Sequence, residues 1–373
     1  MTWVSYWMLG YFAYLEAVLG PVMPFLRGDL HLSYAVASLH FSAFALGAVA
    51  TGTLGDRVVL RFGRRRAFWG GGAGMALGAA LIAVSPVAVG TVSGALLMGS
   101  LGGLLLLCIQ SSLADRHGES RGVALTEANV MASIFAILAS VVVGIFASTG
   151  AGWRFALLLP LLVPVLSGTI GTGVSFGSVR RAANESPRPT HIPGRFWAIA
   201  GVIFLETGVE WCVAYWGASF LVASGQLAKA AAASAMGAFF LAMVIGRLLG
   251  SMLMRRMRGA QLLILSLSLA VLAFLLFWLG AGMATHVVGL FLVGLGVANV
   301  YPVSLTLATE STPEHADWAS ARVGVAGGSA VLLAPLVLGA IADHAGITRA
   351  FSIALPLLLV ALALSLAASR RRM

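Results

Sequence analysis

Of the 373 residues, 60% are hydrophobic and only 10% are charged, and the mean hydropathy is +0.97. Soluble domains carry about 25% charged residues, so an ordinary water-soluble enzyme or nucleic-acid-binding domain is excluded and a polytopic membrane protein remains. The net charge of +10 arises from short basic clusters between apolar runs, which is a membrane-orientation signal rather than a nucleic-acid footprint. Both cysteines, Cys108 and Cys212, lie inside apolar runs, so no disulfide framework, metal cluster or cofactor is expected.

A spanning helix needs about 20 mainly apolar residues, and the chain divides into twelve such intervals. The first runs from 4 to 26 and carries Tyr11, Tyr14 and Glu16. It lacks a basic leader and a small-residue cleavage site, so it reads as a span and not as a signal peptide. The second, 33 to 56, contains His40, expected to be a hydrogen-bonded packing residue, with a proton role as the lesser reading. Between the second and third lies the most polar turn of the first half, with Gly52, Gly55, Asp56, Arg57, Arg61, Gly63, Arg64, Arg65 and Arg66. Small residues there let helices approach, the Asp can meet a helix N-terminus or an Arg, and the arginines anchor the turn to the cytoplasmic face.

The third span, 66 to 85, carries Gly70, Gly74 and Gly78 at i+4 spacing, a stripe suited to close packing. Spans 88 to 113, 122 to 147 and 153 to 177 complete the first half; Glu127 and Asn129, near the start of the fifth, suit packing or a cytoplasmic gate. The stretch from Ser178 to Arg195 contains Pro187, Pro189 and Pro193 among four arginines and reads as a linker. The expected division is therefore a six-helix bundle over 1–178, a cytoplasmic linker over 179–194 and a second six-helix bundle over 195–373. The second half supplies spans 196 to 223, 228 to 254, 260 to 281, 286 to 309, 318 to 342 and 347 to 369.

Two features support this parsing. With both termini in the cytoplasm, every one of the 23 Lys and Arg residues except Arg27, Arg154, Lys229 and Arg349 lies on cytoplasmic loops or helix ends. The halves also repeat at an offset of about 194 residues: Glu16 falls on Glu210, Gly52 on Gly246, Arg61 on Arg255 and Gly102 on Gly296, with Asp115 on Glu310 after one residue of drift. Duplicated halves are the build of secondary transporters. The fold expected is all-α and integral to the membrane, twelve helices in two pseudo-symmetric bundles.

Glu16, Glu206 and Glu210 sit well inside their spans, about 15 to 26 Å from either end at 1.5 Å per residue. A central acidic residue costs about 2.5–3.5 kcal/mol on insertion scales. Either these groups exchange protons as water access alternates, or they hydrogen-bond neighbouring helices. Glu206 and Glu210 are i and i+4 and share one helix face. Pro302 follows Asn299 and Tyr301 and removes one helix hydrogen bond, so a local bend is expected there. No HExxH pair, nucleophile elbow or phosphate-cradling loop is present, so no enzymatic activity is expected.

The turn from Gly52 to Arg66 resembles the loop between helices 2 and 3 of the major facilitator superfamily: Gly, any residue, Leu, small residue, Asp, Arg, then a Gly followed by basic residues. Here the interval from Arg57 to Gly63 is several residues longer than the short form. The resemblance implies a gating role for Gly52, Gly55, Asp56, Arg57, Arg61, Gly63, Arg64 and Arg65, with Asp56 reaching the start of span 11 near Trp318. It also implies that spans 1, 4, 7 and 10 line a central cavity, which makes Tyr11, Tyr14, Trp211, Asn299 and Tyr301 candidates for the solute and Glu16, Glu206 and Glu210 candidates for the proton. In the second half Gly250 or Ser251 stands where the Asp would be. Gly20, Pro21, Pro24 and the run Gly294, Gly296, Asn299, Tyr301, Pro302 are similar to the short bacterial branch of fucose-permease-like sugar symporters. Implied is a monomeric, proton-coupled carrier of a sugar or similar small solute in the plasma (inner) membrane. A proton-driven multidrug efflux antiporter is the alternative, followed by a non-transporting receptor.

Overall fold

Pro21 has no amide proton to give the carbonyl of Ala17, and its ring crowds that carbonyl. The first helical rod accordingly breaks into α1 (Thr2–Ala17) and α2 (Leu19–Asp29), bent by 42°. Residues 1–170, 176, 192–224 and 227–370 are described by a computed structural model, and among them all regular structure is helical. The helices fall into two compact units, one of 1–182 with 228–237, the other of 183–227 with 238–373. Most of the expected linker, 179–194, lies outside the described residues.

In the first unit, α3 (Tyr34–Phe62) starts at Ser33, whose Oγ accepts the Val36 amide at 3.2 Å. It does not stop near Asp56 as the sequence led us to expect. It runs on through Phe62 and turns at Gly63 alone, at φ 81°, before α4 (Arg64–Val84) begins. The extra residues of the motif are thus helix: no glycine or proline stands between Gly55 and Gly63 to break it. Next come α5 (Ala88–His117), a 3₁₀ turn at Gly118–Ser120, α6 (Arg121–Ser148), α7 (Arg154–Leu158) and α8 (Leu162–Ile170). At the far end of the unit Asp29 accepts from Arg154 at 2.8 Å and from the Trp153 indole at 3.1 Å, which ties the end of α2 to α7.

Close backbone approaches set the helix order. Gly99 of α5 lies on the Phe44 carbonyl of α3, and Gly55 of α3 meets Leu107, so these two helices run parallel. Gly78 of α4 faces Gly94, and Gly71 faces Leu101 and Leu105, so α4 runs antiparallel to α5. The packing stripe of α4 is therefore Gly71, Gly74 and Gly78; Gly70 points to open space. Thr2 meets His117 at 2.9 Å and Tyr6 meets Glu127, which makes α5 and α6 an antiparallel hairpin beside α1.

The second unit repeats the scheme with α9 (Gly194–Ala223), α10 (Lys229–Leu253, its first turns in the first unit), α11 (Gly259–Leu279), α12 (Met283–Val297), α13 (Val300–Ser311), α14 (Ala316–Ala345), α15 (Ile347–Ala350) and α16 (Ala354–Arg370). Gly294 of α12 lies on the Phe239 carbonyl of α10, the same contact as Gly99 on Phe44. Both members of the pair are displaced by 195 residues in sequence. Gly289 packs on Phe277 and Gly296 on Ala270, so α11 and α12 are antiparallel like α4 and α5. Without a hydrophobic drive between helices in lipid, such close contacts are what hold a bundle together.

Each of the twelve expected intervals contains helix among the described residues; 171–175 and 177, at the end of the sixth, lie outside them. Nine described helical stretches are long and apolar enough to cross a membrane, and the bent α1–α2 pair makes a tenth. The stretch from 88 to 148 contains the α5–α6 hairpin, and the sixth interval carries the shorter apolar Arg154–Thr169.

Candidate functional site

The acidic residues of the second unit come together. Glu206 and Glu210 project from one face of α9; Glu206 is fully buried and Glu210 half-buried. Neither carboxyl oxygen of Glu206 has a hydrogen-bond partner, and the adjacent Thr207 Oγ1 is also buried without one. Arg247 of α10 sends its positive charge onto both carboxyl groups. By sequence, Arg247 counts only among the Lys and Arg residues of cytoplasmic loops and helix ends. Its position six residues before the end of an apolar helix was the signal that it belongs to the acidic pair. Trp211, half-buried, packs on Tyr215 with ring centroids 4.9 Å apart, one residue beyond Glu210. Among the described residues no His, Cys, Asp and Glu cluster could hold a metal ion.

Asn299 and Tyr301 occupy a true break. Pro302 deprives Ala298 of its amide partner, and the helix interrupts between Val297 and Val300 as expected. The Asn299 side chain turns away from open space, however. It donates from Nδ2 to the Gly246 carbonyl at 2.7 Å and fills the notch left by Gly250. Gly250, which stands where the second copy of the motif lacks its Asp, is thereby a seat for Asn299. Tyr301 is half-buried against Gly327 of α14, and Trp318 packs on Phe196 at 5.2 Å.

In the first unit Glu16 is partly buried at the end of α1, one residue before the 42° bend. Tyr11 and Tyr14 are buried, and their hydroxyls donate to the carbonyls of Gly72 at 3.1 Å and Ala156 at 2.9 Å. They fasten α1 to α4 and α7, and that bonding leaves the hydroxyls no donor for a solute. His40 is buried with Nδ1 near the Ala37 carbonyl and Nε2 near Thr91 Oγ1, at 2.9 and 2.8 Å, the packing arrangement expected. The Tyr6 hydroxyl donates to Glu127 at 2.5 Å, a pair that the sequence reading did not foresee.

Within the motif, Asp56, Arg57, Arg61 and Arg65 are exposed. Gly52 has open space where a side chain would go, whereas Gly55 is buried against Leu107. The buried charge is Arg64, whose Nη1 donates to Asp115 at 2.7 Å. Asp115 lies in the last turn of α5 and Arg64 begins α4, so the antiparallel packing of the two helices delivers the pair.

A sequence profile of the family described as the Major Facilitator Superfamily matches residues 2–228 and 199–372. An uncharacterised MFS-type transporter of Yersinia pestis is 27% identical over 360 residues, covering 92% of this chain and 90% of its own. Among solved structures, a mutant of the nucleoside transporter NupG superposes with a TM-score of 0.81 at 14% identity, covering 98% of each chain. A bacterial homologue of the human lysosomal transporter Spinster, inward-facing and occupied, gives 0.78 at 14% identity over 99% of this chain and 96% of its own.

Proposed function

The chain belongs to the major facilitator superfamily, and from that premise we propose that it is a proton-coupled secondary transporter that moves a small polar solute by alternating access. The observation that carries this reading is Glu206, fully buried on α9 with neither carboxyl oxygen bonded, one helical turn from Glu210. A carboxyl group buried in mid-membrane with both oxygens unpartnered must hold a proton, or receive water or a ligand, since an unpaired buried ion costs several kcal/mol. When that face opens to water the proton can leave, and Arg247 is at hand to stabilise the anion. Glu16, at the bend of α1 and at the matching place in the repeat, serves the first half in the same way. Trp211 offers a ring face to a solute beside Glu210. Asp56 and the arginines from Arg57 to Arg65 gate the basic end of the bundle.

For the solute we favour a sugar or another small, hydroxyl-rich compound. Nucleosides join the panel because a structural neighbour is described as a nucleoside transporter. The protein works as a monomer in the plasma membrane with both termini in the cytoplasm, as the distribution of Lys and Arg favours. The test is transport by purified protein in proteoliposomes under an imposed pH gradient, with sugars, nucleosides and organic cations on both sides. Expected is gradient-driven accumulation of a polar solute that falls at least about tenfold, roughly 1.4 kcal/mol, in Glu210→Gln and Glu206→Gln. Gradient-driven expulsion of organic cations would establish the efflux alternative, and wild-type accumulation in Glu16→Gln, Glu206→Gln and Glu210→Gln alike would refute the coupling scheme.

A further inference from the structure

Where α3 turns into α4, the surface of the first unit holds a groove of about 510 Å³ lined by Phe62, Gly63, Arg65, Arg66 and Trp69. Its volume falls within the roughly 300–1,000 Å³ of small-molecule sites. We propose that this groove binds an anionic phospholipid, the phosphodiester lying between Arg65 and Arg66 at the start of α4 and the glycerol and upper acyl chain along Phe62 and Trp69.

Charge comes first. Two exposed guanidinium groups on consecutive residues line the same groove, and planar guanidinium forks match phosphate oxygens. Arg64 is buried on Asp115 and does not line the groove. The first turn of α4 contains no acidic residue, and its N-cap, Gly63, offers no side chain to the leading amides. Those amides have no carbonyl within the helix, and the helix dipole is positive there. Arg65 and Arg66 in that turn oppose the dipole, and an anion seated beside them meets the amides, the dipole and two guanidinium charges together.

The aromatic wall selects the source of the phosphate. Phe62 is 51% exposed at the end of a membrane helix, with Arg61 5.5 Å over its ring. Trp69 rests edge-on against Phe68 at 5.1 Å. A soluble phosphate would leave this apolar surface wet, whereas a lipid covers it. Aromatic rings beside basic residues at the end of a span are what meets a headgroup and its upper chain.

The full-length protein in a zwitterionic detergent, titrated with phosphatidylglycerol or phosphatidylcholine and observed by native mass spectrometry, supplies the test. Phosphatidylglycerol should bind in preference to phosphatidylcholine, and Arg65→Gln with Arg66→Gln should weaken it about tenfold or more and abolish the preference. Arg255→Gln with Arg256→Gln, which removes the same charge from the second unit, should change it less than about twofold. Equal losses in the two variants, unchanged binding in the first, or displacement of the lipid by inorganic phosphate would each overturn the proposal. Should the first variant fail to fold, Trp69→Leu with Phe62→Ser keeps every charge and should still weaken phosphatidylglycerol about threefold; unchanged binding there refutes it as well. The measurement needs no transport, so its outcome is independent of the coupling scheme above.

Discussion

Arg64 and Asp115 each stand in the wrong place for their own helix: a cation at the start of α4 and an anion at the end of α5, each opposed by the local dipole. What redeems both is the partner 2.7 Å away. Replacing Asp115 by Asn leaves Arg64, 6% exposed, as a buried cation whose Nε already lacks a partner. Losing one member of a fully buried pair costs about 3–5 kcal/mol. Asp115 is 45% exposed, so water shares the pair and the cost is discounted, and relief of the dipole conflict returns about 0.3–1 kcal/mol. A net loss of about 1–3 kcal/mol follows for Asp115→Asn. Arg64→Gln should cost less, because the aspartate it leaves behind is reached by solvent. The double variant should be better than the sum of the two by about 1–2 kcal/mol. The assay is a double-mutant cycle on unfolding in a denaturing-detergent titration, with thermal melting as a second reading. Additivity within about 0.3 kcal/mol would refute the claim that this pair is the structural anchor of the motif.

Glycines on the helix contacts should divide sharply from those that face open space. Gly99→Ala and Gly294→Ala place a methyl group on a backbone carbonyl that cannot swing aside and should destabilise by about 1–3 kcal/mol, whereas Gly52→Ala and Gly70→Ala should leave melting unchanged or raise it slightly; a reversed order would contradict the packing described. Gly250→Ala should be damaging alone and tolerated together with Asn299→Ala, since the second change vacates the space the first one needs. If the double variant melts no higher than Gly250→Ala, that seat is misassigned. Tyr11→Phe and Tyr14→Phe should lose about 0.5–1.5 kcal/mol of stability each with KM for the transported solute nearly unchanged, and a tenfold rise in KM would return them to the solute site.

The fold was readable because lipid leaves the backbone so few choices. Runs of suitable length, basic residues on alternate junctions and the repeat from Glu16 to Glu210 sufficed to set the helices in order. Contact partners were not readable in the same way. The motif spacing pointed to a loop, yet beyond Asp56 the glycine at 63 is the first breaker, and helix continues to it. Residue type alone marked Tyr11, Tyr14 and Asn299 as polar groups facing a cavity, but a hydroxyl or amide in a membrane is also the cheapest way to fasten one helix to the next, and that is how these three bond. Arg247 was overlooked for the converse reason: near a basic turn it looked like one more topological charge. Only the charge it exerts on Glu206 and Glu210 across the fold connects it with them.

The one-residue turn at Gly63 has a mechanical meaning. A long flexible loop would absorb any sliding of α3 as slack, but a single glycine between two rigid rods stores almost none. From Asp56 to Phe62 the rod continues for about 9 Å at 1.5 Å per residue, giving a lever arm whose tip is welded to Arg64 and, through Asp115, to α5. Torque applied at Asp56 is thereby delivered to three helices at once, and the first unit has to answer it as a block.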